Sequence, residues 1–216
     1  MYESVNVKDD PQLKDLLLRN ELNAVTCGGC NFVFRVDKPL VYSDPALKVL
    51  IYLFPTDEAA YDKNENKFLD VLAELTRAIP EDVPAPSLHL VFSRTELIER
   101  IFLREAGLDE RIIEYIKYTI YAKNGRKLNP SEKALLFNAH DSNESTLCFV
   151  VQDVNTRKFE AVLNYERAGY NALSETFTGD DKSFDLLELF PGPYISARHA
   201  LIRELRAESE TEADGD

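Results

Sequence analysis

Two cysteines separated by two glycines, Cys27-Gly28-Gly29-Cys30, constrain this chain more than any other feature. The spacing lets both sulfur atoms face one point, and we expect the glycines to supply the positive φ of a tight knuckle. A structural zinc ion takes four ligands, commonly from two such pairs, and this chain has one pair. The motif therefore predicts half of a metal site, with Cys27 and Cys30 as its ligands.

The sequence leaves the source of the other two ligands open. A second copy of the chain would supply them in a homodimer. A metal-free turn between two strands is the alternative to a metal site. A redox role is disfavoured, because a reactive thiol pair needs a helix N-terminus and residues 32–36 read as a strand. Four side chains of the same chain are further candidates for the missing ligands: Cys148, His89, His140 and His199.

Composition disfavours some classes of partner. The 38 acidic and 25 basic residues give a net charge of -13, the wrong sign for nucleic acid or anionic membranes. No apolar run approaches the roughly 20 residues of a membrane helix, and the first residues lack the pattern of a signal peptide. Three cysteines without disulfide spacing predict a reducing, cytoplasmic location. A DNA-binding ribbon would need a basic face with nearby carboxylates turned away, built from Arg94, Arg100, Arg104 and Arg111.

The front of the chain reads as a β-rich part with a short helix. Residues 2–7 alternate as a strand does, and Asp10 with Pro11 begins a helix. The thiol pair then lies at the tip of a hairpin of residues 23–36, as in a zinc ribbon. A loop between two prolines leads to residues 47–54, which read as a strand buried on both faces.

A polar stretch at residues 56–66 predicts a mobile loop, followed by a helical stripe. The proline-rich residues 78–86 are the best candidate for an internal joint. A capping box then begins one helix, Gly107 ends it and Asp109 caps the next, which predicts a helical hairpin. Three strands of an antiparallel meander follow, then a helix, an Asp- and Gly-rich loop and a last helix at residues 195–206.

These elements predict an α+β fold, with a zinc-ribbon-like β-hairpin module in front and a helical hairpin and antiparallel β-meander behind. Residues 1–55 are expected to form a β-rich module with a short helix. Residues 56–206 would be the α+β remainder of the same domain, and residues 207–216 a disordered acidic tail.

The front half resembles the CpXC family, small prokaryotic proteins named for two Cys-Pro-X-Cys motifs. Over about residues 1–120, Cys27 and Cys30 match the second motif, with Gly28 in place of its proline. The first motif, which would lie just before Tyr2, is missing: either it has been lost, or the coding frame extends upstream of Met1. Further stretches carry the resemblance: YESVNV (2–7), DPQLK (10–14), LNAVTC (22–27), FRV (34–36), PLVYSD (39–44), AGLDER (106–111) and IEYIK (113–117).

The resemblance implies zinc bound through cysteines, and it brings no established activity. The sequence thus predicts a non-enzymatic, cytoplasmic binding or scaffold protein for an unknown protein partner, with a partial or degenerate structural zinc knuckle at Cys27 and Cys30. The alternative is an enzyme with a site between the front module and the C-terminal meander. Its candidate side chains are His140, Asp141 and Tyr42, of which Asp141 can orient the imidazole of its neighbour.

Overall fold

A computed structural model describes residues 1–56, 59–79, 84–178 and 180–213 of the chain. The chain divides into two compact units, Met1–Ile98 and Glu99–Asp216. The division falls within a helix, whereas the sequence favoured a joint at residues 78–86, of which residues 80–83 lie outside the described part. The predicted division after residue 55 stays a prediction.

The described residues form seven helices and three sheets, so the prediction of a mixed α and β protein is confirmed. The zinc-ribbon-like character of the hairpin stays a prediction. The first unit and the helix at its end contain β1 (Ser4–Asn6), α1 (Pro11–Leu18), β2 (Ala24–Thr26), β3 (Val33–Arg35), β4 (Leu40–Asp44), β5 (Val49–Leu53), α2 (Ala59–Arg77), β6 (Ser87–Val91) and α3 (Arg94–Glu105).

The main sheet of the first unit has the strand order β1-β4-β5-β6. Its outer pairs are parallel and its central pair is antiparallel. The prediction of a loop between Pro39 and Pro45 is wrong, because strand β4 lies between these two prolines. Asp44 ends that strand and turns the chain: its Oδ1 accepts the N–H groups of Ala46 and Leu47 at 3.1 and 3.3 Å. The separate hairpin sheet consists of β2 and β3.

The prediction of a mobile loop at residues 56–66 is also wrong from residue 59 onward, because α2 begins there. Asn64 departs from helical geometry there, with φ -129° and ψ 16°. Aromatic packing accounts for the helix. The ring centroids of Tyr61 and Phe68 lie 5.9 and 5.5 Å from that of Phe92, so an apolar stripe begins earlier than the polar composition indicates.

The second unit contains the antiparallel meander that the sequence predicted, in the order β7-β8-β9. Helix α4 packs against α5, α6 and α7, and α5 also contacts β9. An Asp- and Gly-rich loop was expected before the last helix, but most of that segment is helical. The elements of this unit are α4 (Glu110–Asn124), β7 (Lys133–Asn138), β8 (Thr146–Asp153), β9 (Phe159–Glu166), α5 (Arg167–Phe177), α6 (Asp180–Leu189) and α7 (Ala197–Ala213).

Local capping signals are confirmed. Ser93 Oγ accepts the N–H of Glu96 at 3.2 Å, and the Glu96 carboxylate accepts the N–H of Phe92 at 2.9 Å. Gly107 follows α3 with φ +64°, which a residue with a side chain adopts less readily. Asp109 accepts two of the free N–H groups of α4 at 2.8 and 3.2 Å. Helix α7 continues to Ala213, into the segment expected to be disordered.

The core of the second unit gives a direct test of this packing. Phe149 is 0% exposed, and its ring centroid lies 6.1 Å from that of Phe137. We expect Phe149→Ala to lower the free energy of unfolding by about 3–5 kcal/mol, because it removes buried contacts and leaves a cavity. Phe159→Ala is the matched control, since Phe159 lies in the same sheet and is 68% exposed. Equal urea midpoints for the two variants would contradict the packing described here.

Candidate functional site

The hairpin places the two thiols at the turn between β2 and β3. The strands pair in register, with Thr26 opposite Val33. The N–H of Cys27 donates to the carbonyl of Phe32 at 2.8 Å, and the N–H of Asn31 donates to the carbonyl of Cys27 at 2.9 Å. These two bonds close the turn and hold the four residues of the motif on its outer side.

Cys27 is half-buried and Cys30 is exposed. The backbone N–H groups of Gly29 and Cys30, with a contribution from the Cys30 side chain, face the sulfur of Cys27 and lower the pKa of its thiol. A lowered pKa favours the thiolate, which is the form that ligates a metal. The chemistry of these two groups fits zinc, and they could supply two of the four ligands that a structural zinc ion takes.

The expected positive φ at the glycines is wrong. The left-handed residue of the turn is Asn31, with φ +55°, and neither Gly28 nor Gly29 is left-handed. Nothing lies within 4 Å of the position that a Cβ would take on either glycine. Asparagine tolerates left-handed geometry better than most residues with side chains, which explains its place here.

The hairpin surface is apolar and exposed. Residues 22–34 contain no charged side chain, in a chain of which 29% is charged. Phe32, Val33 and Phe34 are 66%, 58% and 43% exposed. The absence of charge over 13 consecutive residues is the signal in the sequence for this surface. Contiguous exposed apolar surface is a common property of protein contact sites.

Side-chain hydrogen bonds anchor the base of the hairpin to the rest of the first unit. The side chain of Asn23 accepts the N–H of Tyr2 at 2.7 Å and donates to its carbonyl at 2.8 Å. Arg94 donates to the carbonyl of Leu22 at 3.0 Å. These bonds fix where the hairpin leaves the unit and leave its tip in solvent.

Within the described residues, no group of three His, Cys, Asp or Glu side chains could hold a metal ion. Cys148 is buried in β8, as predicted for a core cysteine, and its thiol donates to the carbonyl of Asp141 at 3.1 Å and to Asn164 Oδ1 at 3.3 Å. The His199 ring packs on Tyr194, with centroids 5.3 Å apart. Among the described residues, the proposed third and fourth ligands therefore do not belong to any metal-binding group of three side chains.

The side chains suggested for an enzyme are divided between the two units. His140 Nδ1 lies 3.0 Å from Asp141 Oδ1, and the hydrogen bonds from His140 and Asn138 lower the pKa of Asp141. The pair is open to solvent, with the His140 side chain 95% exposed. Tyr42 belongs to the other unit, where it is buried and donates to Asp44 at 3.2 Å.

A surface groove of about 320 Å³ lies along β4 and β5. That volume is at the lower end of small-molecule sites. Its two charged side chains pair with each other, and burial raises the pKa of its tyrosine, so it offers no poised acid and base. The residues that line it are Glu3, Lys38, Pro39, Leu40, Val41 and Tyr52.

The second unit buries four charged side chains together, which we call the buried ion cluster: Glu99, Arg100, Glu114 and Lys117. The Nζ atom of Lys117 lies 2.6 Å from Glu99 Oε1 and 2.8 Å from Glu114 Oε1. Arg100 lies 3.2 Å from the same oxygen of Glu114. Two anions and two cations are thus matched in number.

Backbone groups from other elements complete the cluster. The N–H of Phe137 in β7 donates to Glu99, and the N–H of Ala197 at the start of α7 donates to Glu114 at 2.9 Å. A carbonyl just before α7 accepts from Arg100. The cluster therefore connects α3, α4, β7 and α7 within the second unit, which makes it a structural element rather than an open site.

Burial and pairing oppose each other in this cluster. Burial raises the pKa of Glu114, but Lys117 and Arg100 outweigh it, so the pKa of Glu114 is lowered. Burial lowers the pKa of Lys117, but Glu114 and Glu99 outweigh it, so its pKa is raised. Both side chains are therefore charged at neutral pH, with each stabilised by the other.

The basic face required for a DNA-binding ribbon is not formed at three of its four arginines. Arg94 lies 3.6 Å from Asp37, and Arg104 lies 3.0 Å from Glu110. Arg100 belongs to the buried ion cluster. The neighbouring carboxylates face these arginines instead of turning away, so the condition on which that interpretation depended is not met there.

The family model described as CpXC protein matches residues 1–117, which is more than half of the chain. The chain therefore belongs to the CpXC protein family, and the resemblance seen in its sequence is confirmed. The match contains the hairpin and ends within α4. No curated protein matches the chain, and no solved structure matches it. Among the described helices, none is long and apolar enough to cross a membrane.

The buried ion cluster predicts a large effect of removing one charge. Lys117→Met leaves Glu99 and Glu114 buried with one cation fewer, and we expect it to lower the free energy of unfolding by about 3–5 kcal/mol. Lys123→Met is the control, because Lys123 lies on the same helix and is exposed. Urea unfolding measures both. Exposed ion pairs contribute up to about 1 kcal/mol, so a smaller loss in the free energy of unfolding for Lys117→Met would contradict the cluster.

The same cluster predicts a pH dependence. Because the folded pKa of Glu114 is lowered, its contribution to stability is present above its unfolded pKa and is lost as pH falls through the folded pKa. The stability difference between the native protein and Glu114→Gln should therefore shrink from about pH 6 to about pH 3. Glu175→Gln, at an exposed position of α5, is the matched control. A difference that stays constant or grows on acidification would refute this assignment.

Proposed function

We propose that this CpXC protein is a non-enzymatic binding protein whose β2–β3 hairpin carries a zinc knuckle and presents a surface for contact with a protein partner. Cys27 and Cys30 would be zinc ligands, and the metal would contribute folding energy to the hairpin rather than catalysis. The observation that carries the proposal is the combination, on one turn, of two thiols at ligand spacing with an uncharged, exposed surface beside them.

The stability of the hairpin supports a role for metal. A two-stranded hairpin is marginal in water on its own, and here each strand has three residues. All three residues of β3 are exposed, so side-chain burial contributes little. A metal bound by residues from both ends of the turn would stabilise this geometry without requiring a core.

We further propose a cytoplasmic location. The three cysteines are free, and a metal knuckle requires reduced thiols, which that compartment maintains. An enzymatic role has less support. The His140–Asp141 pair lies open to solvent, and the charged groups of the groove along β4 and β5 neutralise each other.

Cobalt titration tests the metal site. The full chain, reduced and freed of metal, should develop a thiolate-to-cobalt absorption band that zinc abolishes. The double variant Cys27→Ser, Cys30→Ser should bind cobalt far more weakly; even loss of an outer-shell group typically costs roughly 10–100-fold in metal affinity. Zinc should also slow amide hydrogen exchange in residues 24–35 of the native chain.

Cys148→Ser is the matched control, because it removes a thiol of the same chain from a buried strand. It should keep the native cobalt spectrum. The proposal fails if the native chain shows no thiolate band, or if the double variant retains it.

A further inference from the structure

The hairpin supplies half of a tetrahedral thiolate site. Cys27 and Cys30 are two ligands, and the residues described in the structure assemble no group of three metal-binding side chains. Zinc in a structural site takes four ligands, often two Cys-x-x-Cys pairs. A second copy of the same hairpin, related by a two-fold axis through the metal, brings an identical pair and closes the set at four.

We propose that two copies of this chain share one zinc ion, held by Cys27 and Cys30 of each copy, with the exposed surfaces of the two hairpins packed beside the metal. This inference rests on the proposed zinc knuckle and names its partner as a second copy. Each thiol gives up its proton on binding, so the metal is ligated by four thiolates.

Charge favours this contact over others that the chain could make with itself. The chain carries a net charge of -13, so most of its surface would repel a second copy. Residues 22–34 have no charge, and the wider segment 19–38 has three basic and two acidic side chains. Two hairpins can therefore approach without the repulsion that the rest of the chain imposes.

The hairpin also has the surface and the free edges for such a contact. Val33 and Phe34 lie on opposite faces of β3, and both are exposed, as is the preceding Phe32. In the described part of the chain, β2 and β3 pair only with each other, so each strand keeps one edge without a strand partner. The contact is small, because each strand has three residues, and it should depend on the metal.

Native mass spectrometry of the full chain, with zinc added from none to one equivalent, tests the inference. Without zinc we expect a monomer. With zinc we expect a dimer that carries one zinc ion, and dimer formation should be complete at half an equivalent of zinc per chain. Cobalt should saturate its thiolate band at the same half equivalent. Chelation should return the monomer. The double variant Cys27→Ser, Cys30→Ser should stay monomeric, and Cys148→Ser should behave as the native chain does.

Three outcomes would overturn the shared site. A monomer with one zinc at one equivalent would refute sharing and leave the proposed knuckle standing. A dimer that forms without zinc, or in the double variant, would show that the hairpins or other surfaces associate without the metal. A chain that binds no metal under any condition would overturn the knuckle as well as the dimer.

Two valine variants test the packed surface separately from the thiols. Val33 and Val162 are 58% and 56% exposed, on the hairpin and on β9. Val33→Asp should weaken the zinc-bound dimer by about tenfold or more, because it places two carboxylates in the contact. Val162→Asp should leave it unchanged. Equal dimer affinities for the two variants would contradict a contact through β3.

Discussion

The second unit depends on one buried cation. Lys117 cannot remain charged inside a protein unless anions surround it, and Glu99 and Glu114 provide them at 2.6 and 2.8 Å. Those carboxylates in turn require donors, which come from Phe137 in β7 and Ala197 at the start of α7. Placing the charges therefore also places a strand and the last helix against α4. Packing of similar volume without charges could be equally stable, so the value of the cluster lies in the one arrangement that pairs its two anions with its two cations.

The hairpin of the first unit has the opposite character. Its surface is apolar and exposed, and side-chain hydrogen bonds through Asn23 and Arg94 anchor its base. A buried cluster that satisfies its own charges needs nothing from outside, whereas an exposed two-stranded ribbon gains order by binding something. In the proposed function the two thiols at its tip bind zinc, and the lowered pKa of Cys27 favours the thiolate form that such binding needs. The same protein thus contains a buried polar cluster that stabilises its fold and an exposed hairpin for which we propose an external partner.

The features that could be predicted from the sequence are those in which cause and effect lie within a few residues. Ser93 and Glu96 begin α3, Asp109 begins α4, and three alternating strands form the meander. The failures involve distant partners. Strand β4 was taken for a loop because two prolines enclose it and its neighbours, β1 and β5, are not evident from its own residues. The buried ion cluster was missed because charged residues are normally exposed, although Lys117 follows Ile113 at helical spacing on the buried face of α4.

The candidate site follows the same division. The hairpin turn that carries the thiol pair could be predicted because consecutive residues define it, whereas ligands from elsewhere in the sequence would leave no local signal. The family match makes a related point about the domain. It ends at residue 117, so it includes all four charges of the buried ion cluster, but Phe137 and Ala197, whose N–H groups satisfy two of those charges, lie beyond it. A protein ending where the match ends would leave Glu99 and Glu114 without these donors in a buried environment, which carries a free-energy cost. In this chain the matched residues Glu99 and Glu114 therefore take two of their hydrogen bonds from the C-terminal segment, which belongs to the same structural unit as α4.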